Sequence, residues 1–229
     1  MQRRNFLAAS LGAAALAGLA EPGRTQEKLS AAPGPLPRRK KIKVAFMIGK
    51  GTNVIDMAGP WEVFQDATVD DDDPFELFTV GPDKDVLTMT GGLQVRPHYS
   101  IEDAPQPHVI VVPAQGATDK TRAWLREAST GTDMTMSVCT GAFQLGRVGL
   151  LDGKPATTHH DFWDAFAKEF PKVELQRGTR FVDNGRIATA GGLTSGIDLA
   201  LHIVSRYFGV DSAAATARYM EYSSEAWRT

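Results

Sequence analysis

Short apolar runs alternate with stretches of helical periodicity along most of this chain, and this alternation constrains the fold more than any other feature. Four largely apolar runs of five to seven residues are present: Ile42–Ile48, Phe75–Val80, His108–Val112 and Met134–Val138. A strand that is apolar on both faces is buried on both, as in a parallel sheet covered by helices. The pattern therefore predicts an α/β fold with a parallel sheet and helices on both of its faces.

Segments with apolar residues at helical spacing separate or follow these strands. The predicted helices are Ala58–Ala67, Asp119–Ser129, Ala142–Leu150, Asp161–Phe170 and Ser195–Phe208. At the start of the last one, Ser195 and Asp198 have the spacing of a capping box. The segment Arg180–Ala190 carries Asn184-Gly185 between apolar runs, which predicts a β-hairpin.

The first twenty residues predict a targeting signal. Arg3 and Arg4 precede an uncharged run rich in Ala, Gly and Leu, and Gly18 and Ala20 are the small residues that cleavage after Ala20 requires. As a helix this run would reach only ~22 Å, less than the ~30 Å hydrocarbon core of a membrane. Residues 3–7 resemble a twin-arginine signal, so we expect export to the periplasm. A Sec signal or an uncleaved anchor is the alternative, and only an uncleaved signal segment would bring the chain into contact with a membrane.

Residues 21–41 predict a disordered linker, which leaves a single domain over 42–229. The segment contains four prolines and almost no large apolar residue. Such a composition buries too little apolar surface to offset the entropy lost on ordering.

Composition excludes several classes of function. With 25 Lys+Arg against 27 Asp+Glu, the net charge of −2 gives no electrostatic reason to bind nucleic acid. The single cysteine excludes an internal disulfide and a thiolate zinc cluster. Neither a zinc-type histidine motif nor a glycine-rich nucleotide loop is present in the sequence. We therefore expect no metal and no cofactor.

That single cysteine, Cys139, has the setting of a nucleophile. It follows a predicted strand and precedes a predicted helix, and the small residues Thr140, Gly141 and Ala142 come next. This arrangement predicts a sharp strand-to-helix turn, a nucleophile elbow, at the carboxyl edge of the sheet. The helix N-terminus is expected to lower the pKa of the thiol, so that thiolate forms near neutral pH. The alternative is a cysteine that acts only as a small buried apolar residue.

Several motifs along the chain, in their order, resemble those of the ThiJ/PfpI superfamily. The matching segments are residues 55–64, 137–143, 149–153, 156–159, 180–185 and 190–201. The resemblance covers residues 42 to about 222. It implies a single-domain, flavodoxin-like parallel-sheet sandwich of the class I glutamine amidotransferase-like type.

Within this superfamily the chain is most similar to the branch of isonitrile hydratases and amidase-like domains of transcription regulators. That branch has an aspartate in its first loop, matched by Asp56, and a threonine after the nucleophile, matched by Thr140. The protease branch has histidine after the cysteine, and the deglycase and glyoxalase branches have glutamate in the first loop. One departure is that Pro113 is followed by Ala114-Gln115-Gly116, where members often carry Gly-Gly.

The resemblance implies a cofactor-free enzyme acting on a small molecule. The Cys139 thiolate would attack an isonitrile carbon to give a thioimidate-like adduct, which water would hydrolyse to an N-substituted formamide. Asp56 would be the general acid/base, and the Thr140 hydroxyl with the N–H groups of Gln115 and Thr140 would hold developing charge. Ala114, Gly116 and Gly141 belong to the same predicted oxyanion region.

The sequence leaves two questions open: the role of His159 and the reaction that the protein catalyses, if any. His159 either orients and protonates a reacting group, as its counterpart does in the glyoxalase branch, or satisfies a hydrogen bond in the core. The alternatives to an isonitrile hydratase are glyoxalase or deglycase activity with His159 as proton shuttle, and a non-catalytic ligand-binding or redox-sensing module. The resemblance also implies a homodimer with the Cys139 pocket near its interface.

Overall fold

The computed structural model describes residues 33–228; the predicted signal over 1–20, the predicted linker as far as residue 32, and Thr229 lie outside the described residues. In the described range the strands are β1 Ile42–Met47, β2 Phe75–Gly81, β3 Leu87–Thr88, β4 Gln94–Val95, β5 Tyr99–Ser100, β6 Val109–Val112, β7 Met134–Ser137, β8 Pro155–Ala156, β9 Glu174–Leu175, β10 Phe181–Asp183 and β11 Ile187–Ala190. The α-helices are α1 Val54–Asp66, α2 Asp119–Ala128, α3 Gly141–Arg147, α4 Trp163–Glu169, α5 Ser195–Phe208 and α6 Val210–Tyr219. Short 3-10 helices cover Thr90–Gly92, Ser129–Gly131, His160–Phe162 and Ala226–Arg228.

Seven of these strands form the main sheet, in the order β10-β11-β7-β6-β1-β2-β5. All neighbouring pairs are parallel except β10 and β11, which form the antiparallel hairpin predicted around Asn184-Gly185. Because the central strands run in parallel, the ends of β7 and β11 and the start of β10 lie at one edge of the sheet. The loops after these strands therefore meet there, and the site described below is built from them.

The apolar residues of the central strands point alternately into two cores. Val44, Phe46 and Val111 pack with α1, α5 and α6 on one face, whereas Met47 and Ile110 pack with α2, α3 and α4 on the other. This alternation follows from the two-residue period of a strand. The predicted α/β sandwich with helices on both faces is confirmed as a single domain. None of the helices in the described range is long and apolar enough to cross a membrane.

The segment 33–41 differs from the predicted disordered linker. Leu36 is buried, and its N–H donates to the carbonyl of Arg206 at 2.8 Å. The Arg206 side chain in turn donates to the Gly34 carbonyl. Arg39 forms a bidentate ion pair with Asp133, with N–O distances of 2.7 and 2.8 Å. These contacts join residues far apart in the chain, so a composition argument restricted to the segment could not detect them.

Helix α1 begins earlier than predicted, and helix α5 is capped differently from the prediction. Helix α1 begins at Val54, four residues before the predicted start, because the Asn53 side chain accepts the N–H of Ile55 as an N-cap. The predicted capping box of α5 is wrong: Thr194 is the N-cap residue and makes no side-chain cap bond. Asp198 is instead buried and pairs with Arg180, a contact that matters for the site.

Candidate functional site

Cys139 occupies a strained turn between β7 and α3. Its φ is 57°, in the left-handed region that non-glycine residues rarely adopt. The Cys139 N–H donates to the carbonyls of Ala190 and Gly191 at 3.2 and 2.7 Å, and its carbonyl accepts the Thr158 hydroxyl at 2.9 Å. The strain is therefore held in place by bonds on both sides of the residue, as expected of a nucleophile elbow. The predicted elbow is present.

Gly141 has a packing role at this turn. A Cβ atom at this position would lie 2.0 Å from the carbonyl oxygen of Val112, so only glycine lets α3 approach β6 so closely. Its N–H already donates to the Val138 carbonyl at 2.9 Å. Gly141 was predicted to belong to an oxyanion region. The structure instead supports a role for Gly141 in shaping the turn.

Asp56 lies beside the cysteine, in the first turn of α1 rather than in a loop. It is fully buried, and its Oδ2 accepts the N–H of Ala114 at 3.1 Å. The Cys139 thiol lies close enough to the same carboxyl to lower its pKa. No N–H or O–H group within residues 33–228 reaches the other oxygen, Oδ1. The carboxyl and the thiol thus form a pair in which one proton can pass from sulfur to oxygen.

Burial shifts the pKa of both members of this pair upward. Desolvation raises the pKa of Asp56 from 3.8 to about 6. The interactions with Ala114 and Cys139 lower this pKa, but by less than burial raises it. Desolvation, together with the charge of Asp56, raises the pKa of the Cys139 thiol to about 11. The predicted lowering of the thiol pKa by the helix N-terminus is wrong, because α3 is short and burial dominates. Near neutral pH the pair is a carboxylate and a thiol.

Two backbone N–H groups near the sulfur act in the opposite direction to burial. They belong to Thr140 and Leu193, and both lower the pKa of the Cys139 thiol. Leu193 follows Gly191-Gly192 after β11, has a φ of 52°, and is 40% exposed. Leu193 is not among the residues predicted from the sequence, although the two glycines before it, after a strand adjacent to β7, indicate a close approach of the backbone. Thr140 and Leu193 are the groups placed to stabilise negative charge on sulfur.

The predicted oxyanion residues after Pro113 divide into different roles. The N–H of Ala114 holds Asp56, and the N–H of Gly116 donates to the Lys50 carbonyl at 3.0 Å. The N–H of Gln115 makes no hydrogen bond in the described part of the chain. Its side chain turns away to donate to the Met47 carbonyl at 2.7 Å, toward a separate cavity of about 290 Å³. Of the three residues, only Gln115 has an N–H without a hydrogen bond in residues 33–228, and Gln115 lines that separate cavity.

His159 does not contact the thiol in this arrangement. Its Nδ1 accepts the N–H of Asp161 at 3.2 Å, and its ring stacks on that of His160 at 4.4 Å. A Cβ on Gly192 would lie 2.4 Å from the His159 ring, so the ring fills the space over the loop that carries Leu193. Thr158, one residue earlier, makes the hydrogen bond to Cys139. The geometry therefore places His159 at the wall of the site.

A cavity of about 350 Å³ adjoins the elbow, on the side of Thr158 and Leu193. His159, His160, Trp163 and Arg180 complete much of its lining. A volume of this size suits a small molecule. On its rim, one ligand-type atom each from His159, His160 and Asp161 lie within 4.8 Å of one another, and this trio could hold a cation. Because His159 Nδ1 already accepts a hydrogen bond inside the trio, the arrangement is that of a turn closing on itself.

Comparison with known proteins identifies the family. A model of the DJ-1/PfpI family matches residues 42–206, which include Asp56, Cys139 and Leu193. The chain belongs to the DJ-1/PfpI family. The resemblance inferred from the sequence is thereby confirmed.

Characterised DJ-1/PfpI relatives include both an enzyme and regulators. The chain is 31% identical to an isonitrile hydratase of Pseudomonas putida over 189 residues, covering 80% of this chain and 79% of that protein. It is 26% identical to the HTH-type transcriptional regulator GbdR of Pseudomonas aeruginosa over 200 residues, covering 83% of this chain. The chain spans about half the length of that regulator, 54%. Family membership alone therefore does not decide between catalysis and ligand sensing.

Solved structures support the fold. A ThiJ/PfpI family protein from Pseudomonas syringae matches with a TM-score of 0.73 at 24% identity, over 83% of this chain and 78% of that one. Drosophila melanogaster DJ-1beta matches with a TM-score of 0.68 at 15% identity, over 80% of this chain and 100% of that one. At these identities the likeness concerns the fold and leaves function to the site.

Proposed function

We propose that this protein is a cysteine-dependent hydratase that converts isonitriles, R–N≡C, to N-substituted formamides, R–NH–CHO. The observation that carries the proposal is the buried Asp56 carboxyl beside Cys139, which lies in the strained turn between β7 and α3. The 31% identity to an isonitrile hydratase over four fifths of the chain supports the same chemistry.

The pair fits this reaction because the terminal carbon of an isonitrile must receive both a nucleophile and a proton. Asp56 accepts the thiol proton as Cys139 Sγ attacks the carbon, and the protonated Asp56 then donates that proton to the same carbon. The product is a thioimidate, R–N=CH–S–Cys139. A carboxyl with a pKa of about 6 is suited to both steps near neutral pH, since neither protonation state is strongly favoured.

Hydrolysis of the thioimidate returns the enzyme to its starting state. Asp56, again a carboxylate, accepts a proton from water as the water oxygen bonds to the carbon, and that proton passes to the substrate nitrogen. The remaining hydroxyl proton moves to sulfur as the C–S bond breaks and formamide leaves. The N–H groups of Thr140 and Leu193 stabilise charge on the departing sulfur.

A substrate panel tests the proposal. The purified protein is incubated with aliphatic and aromatic isonitriles and, in parallel, with methylglyoxal, and products are quantified by chromatography. We expect formamide from isonitriles, none with Cys139→Ala, and a loss of ~100-fold or more with Asp56→Asn. Asp211→Asn, an exposed carboxylate in the first turn of α6, is the matched control. Turnover of methylglyoxal but not of isonitriles, sensitive to His159→Gln, would replace the proposal by the glyoxalase alternative.

The regulator relatives favour one other candidate, a ligand-binding module without turnover. It predicts that small molecules protect Cys139 from alkylation while no product forms in the panel. We also propose, from the sequence, that the chain is exported by the twin-arginine pathway and that the domain forms a homodimer.

A further inference from the structure

Arg180 is the cationic side chain on the wall of the cavity beside Cys139, and the catalytic steps above do not use it. It directly precedes β10, and Phe181, the first residue of β10, pairs with Ala190 at the end of β11. Because β7, β11 and β10 are neighbours, Arg180 lies two strand spacings from Cys139, ~10 Å between backbones. A small molecule with its reactive carbon at the sulfur could therefore place another group against the guanidinium.

A buried carboxylate fixes this guanidinium in position. Asp198, with no solvent exposure, accepts Arg180 Nε at 2.7 Å and also Nη2 through the same oxygen, Oδ2. Its other oxygen accepts the Ser224 hydroxyl at 2.7 Å. The Arg180 side chain itself is 42% exposed. A planar cation held along one edge is ordered before any ligand binds, so little side-chain entropy is lost on binding.

The opposite edge of the guanidinium is available. Arg180 Nη2 makes longer contacts of 3.4 Å to the Thr194 and Tyr222 hydroxyls, whereas Nη1 makes no hydrogen bond within residues 33–228. Thr194 lies in the loop after Gly191, whose carbonyl accepts the Cys139 N–H at 2.7 Å, so the guanidinium and Cys139 border the same loop. Planar N–H donors of arginine match the oxygens of a carboxylate.

We infer that Arg180 is a specificity residue that selects substrates carrying an anionic group, a carboxylate above all, a few atoms from the carbon that Cys139 attacks. The inference rests on the proposed function in taking Cys139 as the reacting group. It narrows the substrate class to isonitriles with a carboxylate, such as isocyanoacetate. The competing explanation is that Arg180 only anchors the C-terminal segment through Asp198, Tyr222 and Ser224.

Charge-matched alkylation separates these explanations without relying on turnover. Cys139 is alkylated with iodoacetate, an anion, and with iodoacetamide, its neutral counterpart, at pH 9, and the ratio of the two rates is determined by mass spectrometry. We expect Arg180→Gln to lower the iodoacetate/iodoacetamide ratio about threefold or more, the effect of removing one charge at several ångströms in a largely aqueous site. Arg180→Lys should retain most of the ratio.

Two further variants keep the test decisive. Arg147→Gln removes an exposed arginine that pairs with Glu169, outside the cavity, and should leave the ratio unchanged. Because Arg180→Gln leaves Asp198 buried without its partner, the double variant Arg180→Gln/Asp198→Asn removes both charges; since the repulsive carboxylate is lost as well, it should lower the ratio by less than Arg180→Gln does. An unchanged ratio in both Arg180→Gln variants overturns the inference and leaves only the anchoring role.

The substrate arm compares isocyanoacetate with its methyl ester. We expect Arg180→Lys to raise KM for the acid more than for the ester, at nearly constant kcat. If the panel gives no isonitrile turnover while the alkylation ratio responds to Arg180, the proposed function fails but anion selection by the cavity stands. If iodoacetamide alkylates Cys139 and the ratio does not respond, selection by Arg180 fails on its own.

Discussion

Replacing Asp56 by asparagine should stabilise the protein at neutral pH while removing its proton-transfer group. Asp56 has no solvent exposure, and burial raises its pKa from 3.8 to about 6. The folded state therefore binds this proton more tightly than the unfolded chain does. Stability linked to Asp56 is complete below pH ~4 and is lost as the pH rises toward 6. A difference of about 2 pKa units corresponds to about 3 kcal/mol.

The assay is urea unfolding of the wild-type protein and of Asp56→Asn from pH 4.5 to 7.5. Asparagine keeps the side-chain shape and can still accept the Ala114 N–H, so the contrast isolates ionisation. Over this range we expect the wild type to lose about 2 kcal/mol of unfolding free energy relative to the variant. Asp211→Asn, measured in parallel, controls for removing an acidic residue from a helix N-terminus.

A pH-independent difference between the two proteins would refute the reasoning, since it would mean that folding does not perturb Asp56. If the wild type instead became more stable relative to the variant as the pH rises, the reasoning would be refuted more strongly, because folding would then lower the pKa of Asp56. The expected combination, a more stable and inactive variant, is typical of a residue retained for function at a cost in stability.

Four further outcomes are expected. The alkylation rate of Cys139 should have a pH midpoint well above the ~8.5 of a free thiol, and Asp56→Asn should lower it by removing a negative charge; a wild-type midpoint below 8.5 contradicts the burial argument. Gly141→Ala should lower Tm by several degrees, because its Cβ would meet the Val112 carbonyl at 2.0 Å, and an unchanged Tm in calorimetry opposes this. Light scattering at micromolar concentration should give the mass of two chains, not one. Changing Arg3 and Arg4 to lysine should block export, measured by fractionation, and the exported form should begin at Glu21 by mass spectrometry.

The parts of the fold that local sequence specifies were predictable. Apolar runs gave the central strands within one or two residues, Asn184-Gly185 gave the hairpin, and α5 spans Ser195–Phe208 as expected. Helix α6 was missed because its buried face consists of Ala213, Ala214 and Ala217 with Thr216, which gives little hydrophobic signal. The docking of residues 33–41 was missed because Arg206 and Asp133 lie far away in the sequence.

The sequence predicted the main residues of the site but not their pKa values. Cys139 and Asp56 were identified from the elbow pattern and the family motifs. The direction of the thiol pKa was wrong, because a local argument weighs the α3 N-terminus but cannot weigh burial and a charge on α1. Leu193 was missed for a related reason: a backbone N–H carries no residue-type signal, and only the assembled loop brings it to the sulfur.

The raised pKa of the Cys139 thiol also bears on the alternative that Cys139 is a redox sensor. Peroxide oxidises the thiolate, so sensor cysteines combine a low pKa with access to solvent. With a pKa of about 11, only about one Cys139 thiol in 10⁴ is ionised at pH 7, and the side chain is buried. The proposed reaction does not need a preformed thiolate, because in it Asp56 takes the thiol proton during the attack and returns it to the carbon. The same burial that disfavours oxidation of Cys139 is therefore compatible with the proposed hydration of an isonitrile.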